Sequence, residues 1–177
     1  MSDLHQLLAG GDRRSIGRVT EAVTLVLGSP SRFDQLIDGM VSPDPVVRMR
    51  CADAAEKVTA VRPDLLLPHR HLLIDRLSAS EQQEVRWHVA PMLLRLPLTD
   101  DEEDKVMGLL IEYSRDRSRI VRTTAMQAMA DLAFRSARFV PEVLTRIEAL
   151  TATGTPAMRA RGRRLLHKLA CINGAER

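Results

Sequence analysis

The chain is poor in aromatic residues, with one Trp, one Tyr and three Phe, 3% in all. Sheets draw on aromatic and β-branched side chains, so a sequence short of aromatics and rich in Leu, Ala, Met and Arg points to helix. Apolar–polar alternation is not sustained anywhere, which argues against an extended sheet. Cysteine is nearly absent: Cys51 and Cys171 have no CxxC spacing and read as small apolar residues in a reducing compartment. No stretch approaches the ~18 apolar residues that a membrane span needs. Met1-Ser2-Asp3-Leu4-His5 shows no basic region followed by an apolar run. A soluble, cytoplasmic protein with no membrane partner is expected.

Catalytic motifs are missing as well. There is no HExxH, GxSxG, P-loop or GxGxxG. His5, His69, His71, His88 and His167 lack metal-ligand spacing; His69 and His71, two apart on a helix, point to different faces. Gly10-Gly11 reads as a helix stop rather than a phosphate cradle. No catalytic residue, metal ligand or cofactor is therefore expected. Lysine is scarce too, with only Lys57, Lys105 and Lys168, so Arg carries the positive charge. That charge is uneven. The formal net charge is +3, yet Leu150 to Arg177 holds six bases against one acid, leaving a nearly neutral body with a basic end.

What the chain does have is repetition. Val47-Arg48 returns as Val85-Arg86 and Val121-Arg122, Met158-Arg159 continues the series, and Gly17-Arg18 stands as a degenerate early copy. The intervals between Arg48, Arg86, Arg122 and Arg159 are 38, 36 and 37 residues, the mark of a helical repeat array. Helical periodicity and stop signals predict helix pairs over about 2–28, 31–60, 63–97, 99–135 and 138–171. In that reading Ser2 caps the first helix, and Asp12 starts a second that carries Ile16, Val19, Val23 and Val26. Asp64 to Leu77 is one helix, with Pro68 delaying or kinking its start, and Pro91 bends the helix that begins near Ser80. Thr99 and Glu102 form a capping box, with Asp100, Asp101, Glu103 and Asp104 crowding the same first turns. Gly174 marks a frayed tail. No long linker divides the chain, so a single domain over 1–177 is expected.

A helix ending in a polar turn, then Val-Arg, then an Ala-rich helix, resembles the HEAT repeat. The resemblance covers about Asp12 to Ala170 and is clearest over Ser42–Ala55 and Asp116–Ala130. It implies an all-α solenoid of about five antiparallel helix pairs, whose second helices line a concave face. Six residues before each repeat Arg stand Asp12, Ser42, Ser80, Asp116 and Thr153, all able to cap a helix. In the family an Asp and Arg ladder joins neighbouring repeats. By resemblance Arg48, Arg86, Asp116, Arg122 and Arg159 take that role, Asp116 with Arg122 most cleanly. Positions −1, +4 and +7 from each Arg (Val47, Ala52 and Ala55, for example) form the seam between layers.

Positions +2, +5 and +9 make a second stripe: Arg50, Asp53 and Lys57; His88, Pro91 and Arg95; Thr124, Gln127 and Asp131; Arg161, Arg164 and Lys168. A solvated face is the plainer explanation, and against it a concave repeat surface is ready-made for a partner. Trp87 stands at its edge, as core or as interface anchor. The expectation is a non-catalytic scaffold that binds a protein through Arg50, Asp53, Lys57, Trp87, His88, Arg95, Thr124, Gln127 and Asp131. The alternative is a nucleic-acid binder that uses the basic patch of Arg161, Arg164 and Lys168. Some alkylpurine DNA glycosylases are built from HEAT-like repeats and resemble this chain in architecture. Apolar residues kept on outer faces leave self-association open.

Overall fold

A computed structural model describes residues 2–12 and 14–175, with side chains described as far as Cys171. Among the described residues the chain is all-helical, with no strand. Ten α-helices follow in order: α1 (Asp3–Leu8), α2 (Val19–Gly28), α3 (Phe33–Gly39), α4 (Pro45–Val61), α5 (Arg70–Leu72), α6 (Gln83–Leu93), α7 (Asp100–Tyr113), α8 (Arg119–Arg135), α9 (Val140–Thr153) and α10 (Pro156–Ala175). No helix among the described residues is long and apolar enough to cross a membrane. Tertiary contacts gather the chain into two compact units, Met1–Leu96 and Pro97–Arg177, a division that the missing linker did not foreshadow. Unit 1 carries twelve bases and twelve acids, so the whole +3 belongs to unit 2.

In unit 1, α4 packs against α2, α3 and α6; in unit 2, α8 packs against α7, α9 and α10. The seam follows from the sequence register. Val47, Val85, Val121 and Met158 at −1 are buried, as are Ala22, Ala52, Ala90 and Met126 at +4. At +7, Ala55, Leu93 and Met129 are buried, but Leu25 is 38% exposed. In α10 the apolar line shifts to Met158, Leu165 and Leu169, beside the buried Gly162.

The polar turns before the repeat helices share one chemistry, and it differs from the expected caps. The side chain at −6 accepts a hydrogen bond from the backbone N–H at −4, four times over: Asp12 from Arg14 at 2.9 Å, Ser42 from Asp44 at 3.2 Å, Ser80 from Gln82 at 3.3 Å and Asp116 from Ser118 at 2.7 Å. Such a side-chain turn competes with helix, so the helix starts later. Capping falls to the −4 residue: Asp44 accepts from Val46 N, Ser118 from Val121 N and Thr155 from Met158 N. Thr153 leaves the pattern, since its hydroxyl donates to Ala149 O within α9.

Three expected helices are altered. The second begins at Val19 rather than Asp12, because the Arg50 side chain takes the carbonyls of Leu8, Gly10, Asp12 and Ser15 and holds the segment as a loop. Asp64–Leu77 is a 3₁₀ segment (Pro63–His69), then α5, then a π-helical turn (Leu73–Leu77). Pro68 lies inside the 3₁₀ stretch, where its missing N–H and fixed φ disfavour a continuous α-helix. α6 ends at Leu93, two residues beyond Pro91. The Thr99–Glu102 capping box is present, and Ser2 does cap α1 through His5 N. Gly174 falls within α10.

Candidate functional site

Arg50 is a buried cation on α4. Only 4% exposed, it donates from Nη1 to Leu8 O (2.8 Å) and Gly10 O (2.7 Å), from Nη2 to Asp12 O (3.2 Å) and from Nε to Ser15 O (3.1 Å). A planar guanidinium satisfies several carbonyls of one loop at once, which an ammonium cannot match. The loop closes on it through Gly17, whose φ of +56° is in the left-handed region and whose Cα is too close to Arg50 for a side chain: a Cβ would stand 2.7 Å from Arg50 Cζ. Arg50, expected to face a partner, commits its guanidinium to the loop carbonyls while its side chain lines the pocket beside that loop.

The loop forms one wall of an open pocket of about 240 Å³ in unit 1, lined by Arg14, Ser15, Ile16, Met49, Arg50, Asp53, Glu84, Trp87 and His88. Ile16, expected on a buried helix face, is 56% exposed at this pocket. Trp87 is half-buried and meets the His88 ring edge-on, with centroids 5.8 Å apart. Asp53 is buried and receives Lys57 Nζ at 2.5 Å, an i,i+4 pair, while His88 Nε2 lies 3.9 Å from the same carboxylate oxygen. Burial pushes His88 below its ordinary pKa, against the raising effect of Asp53 and Glu56, with Lys57 adding to the lowering. Just beyond the end of α6, Arg95 donates to Glu56 O at 2.6 Å, to Thr59 Oγ1 at 2.8 Å and to the Glu56 carboxylate. The stripes of α4 and α6 are therefore brought side by side, and much of their charge is internally paired. Pro91 lies on the same helix but does not line the pocket.

In unit 2 the corresponding stripes of α8 and α10 also meet. Gln127, Arg161, Arg164, Leu165 and Lys168 line a second pocket of about 220 Å³. Gln127 Nε2 donates to Asp131 Oδ1 at 2.8 Å. Burial raises the Asp131 carboxyl from its ordinary value, against the lowering effects of Gln127, Lys168 and Arg161. Thr124 stands apart, its hydroxyl donating to Ile120 O within its own helix.

The expected ladder takes a different form. Arg48 Nη1 donates to the carbonyls of Ser42 (2.7 Å) and Pro43 (3.1 Å), and Arg86 Nε donates to Ser80 O (2.6 Å). Both of these contacts use the −6 carbonyl, which any residue supplies. Gln82 joins the two turns: it accepts from Arg48 Nε at 2.7 Å and donates to Pro45 O at 2.9 Å. Arg122 Nε is buried without a hydrogen-bond partner, and Arg159 is exposed. Asp116 supplies a carboxylate oxygen to its own turn, at Ser118 N.

Arg14, Ser15, Ile16, Met49 and Glu84 were not singled out from the sequence. Gly10-Gly11 was read only as a helix stop and Gly17 as part of the following helix, so the loop and its docking place were missed. Among the described residues no group of three or more His, Cys, Asp or Glu side chains is placed to hold a metal. No family model matches the chain, and no curated protein matches it with significance.

Proposed function

We propose that this protein is a non-catalytic HEAT-like repeat module that binds a protein segment at the unit 1 pocket. The observation that carries the reading is the exposed Ile16, on a loop that buried Arg50 keeps in place, held beside half-buried Trp87 and buried Met49. Rigid aromatic and aliphatic anchors around a concave site are what a partner's apolar side chain needs. Asp53, Glu84 and His88 add polar groups to the same wall, and Asp53 is paired with Lys57. The HEAT-like reading is supported by the recurrent −6 to −4 turn, by two Arg-to-carbonyl contacts at one offset, and by the buried −1 and +4 line. Each helix pair then leans on the next within its unit.

The single Trp makes the test direct. Photo-crosslinking from position 16 in the full-length protein should capture a partner peptide whose binding changes Trp87 fluorescence. Trp87→Ala should weaken capture at least tenfold, whereas Val61→Asp, at an exposed position away from the pocket lining, should leave it within twofold. Equal loss in both variants, or capture indifferent to Trp87→Ala, refutes this surface.

A further inference from the structure

The unit 2 pocket gathers three cations from one helix. Arg138 pairs with Glu103 and Asp104, and Arg146 pairs with Glu142. Arg161, Arg164 and Lys168 have no ion-pair partner among the described residues. They stand at i, i+3 and i+7 of α10, so they share one face over about 10 Å. Like charges at this spacing repel, and the repulsion grows when a pocket wall limits access of solvent. Lys168 and Arg161 act electrostatically on half-buried Asp131, which Gln127 also holds, but one carboxylate against three cations leaves the face positive.

We infer that the pocket formed by Gln127, Arg161, Arg164, Leu165 and Lys168 binds a phosphate monoester. A monoester carries close to two negative charges and three terminal oxygens. Two guanidinium forks and an ammonium complement that group, and the second amide hydrogen of Gln127 adds a neutral donor. The volume of about 220 Å³ and the wall of Leu165 suit one compact group with a short apolar attachment. A nucleic-acid strand has one charge per phosphate and needs a basic track rather than a pocket. The monoester comes either from a small free ester or from a phosphorylated side chain of another protein. This inference is independent of the reading given to the unit 1 pocket.

The test is calorimetric titration of the full-length protein, at low ionic strength, with inorganic phosphate, O-phosphoserine and a phosphoserine peptide. Saturable binding is expected, with Arg164→Gln and Lys168→Gln each weakening it at least tenfold. Arg163→Gln removes the same charge from an exposed neighbour outside the pocket and should change affinity less than twofold. Circular dichroism of each variant checks that the helices are intact. Similar affinity for all three probes supports a small free ester, and preference for the peptide supports a modified protein. Loss in Arg163→Gln equal to that in Arg164→Gln overturns the pocket in favour of general charge attraction. So does a single-stranded or duplex DNA oligomer that binds more tightly than the esters, and so does absence of saturation at millimolar phosphate.

Discussion

Replacing Arg50 by Met keeps the aliphatic stem and removes the guanidinium that holds residues 8–15. Hydrogen bonds from a charged group contribute about 1.5–3 kcal/mol each, so four would nominally exceed 6 kcal/mol. They share one side chain and do not add, however. Only the bond to Leu8 O is fully buried, and the Gly10, Asp12 and Ser15 carbonyls can regain water. A net loss of about 3–5 kcal/mol follows, the range for breaking a buried charged network. Against a typical total of roughly 5–15 kcal/mol, that is a large share. Urea unfolding followed by helical circular dichroism should show a lower midpoint with an unchanged slope, and amides near 10–18 should lose exchange protection. Gly17→Ala provides a second arm. In the wild type its Cβ meets the Arg50 guanidinium and also bears the strain of positive φ. In the Arg50→Met background the guanidinium is gone, and mainly the strain of about 1–2 kcal/mol remains. A loss below about 1 kcal/mol for Arg50→Met, or an equal cost of Gly17→Ala in both backgrounds, refutes the account.

Leu93, fully buried in the seam, should lose about 2–5 kcal/mol on change to Ala in the same urea assay. Gly162→Ala should destabilise by about 1–3 kcal/mol, because its Cβ would overlap Thr151 Oγ1, and Thr151→Ala should recover part of that loss. His88 is lowered in the folded protein, so the unfolded chain binds the extra proton first. Stability should be full above the unfolded value of about 6.5 and fall as the pH drops through it toward the folded value; His88→Gln should flatten that slope. In the native protein a thiol reagent should modify exposed Cys171 quickly. Buried Cys51, its thiol pushed up to about 12 by desolvation, should react only on unfolding; two fast equivalents would refute this.

The helical class and the buried −1 and +4 line were readable because their signals are local. Proline, glycine and apolar period act within a turn or two of the residue that carries them. The turn before each helix was half-readable: Asp or Ser at −6 was visible, but whether it caps a helix or closes its own turn depends on where the helix begins. Ile16 shows the opposite case. Its spacing with Val19, Val23 and Val26 fits a helix face, yet Arg50 takes the neighbouring carbonyls and the segment stays a loop.

Sequence alone therefore determined the all-helical class, the repeat period, the cap of α7 and the basic character of the C-terminal end. Tertiary structure decided which charges are inside, which are paired and which remain open. Arg50 and Arg161 occupy the same place, +2, in their repeat helices, and no local rule separates them. What separates them is the backbone, 35 to 42 residues away in sequence, that packs onto Arg50 and has no counterpart at Arg161 among the described residues. A guanidinium becomes core or binding surface according to the carbonyls and carboxylates that folding delivers to it, and only the docking of distant segments sets that delivery.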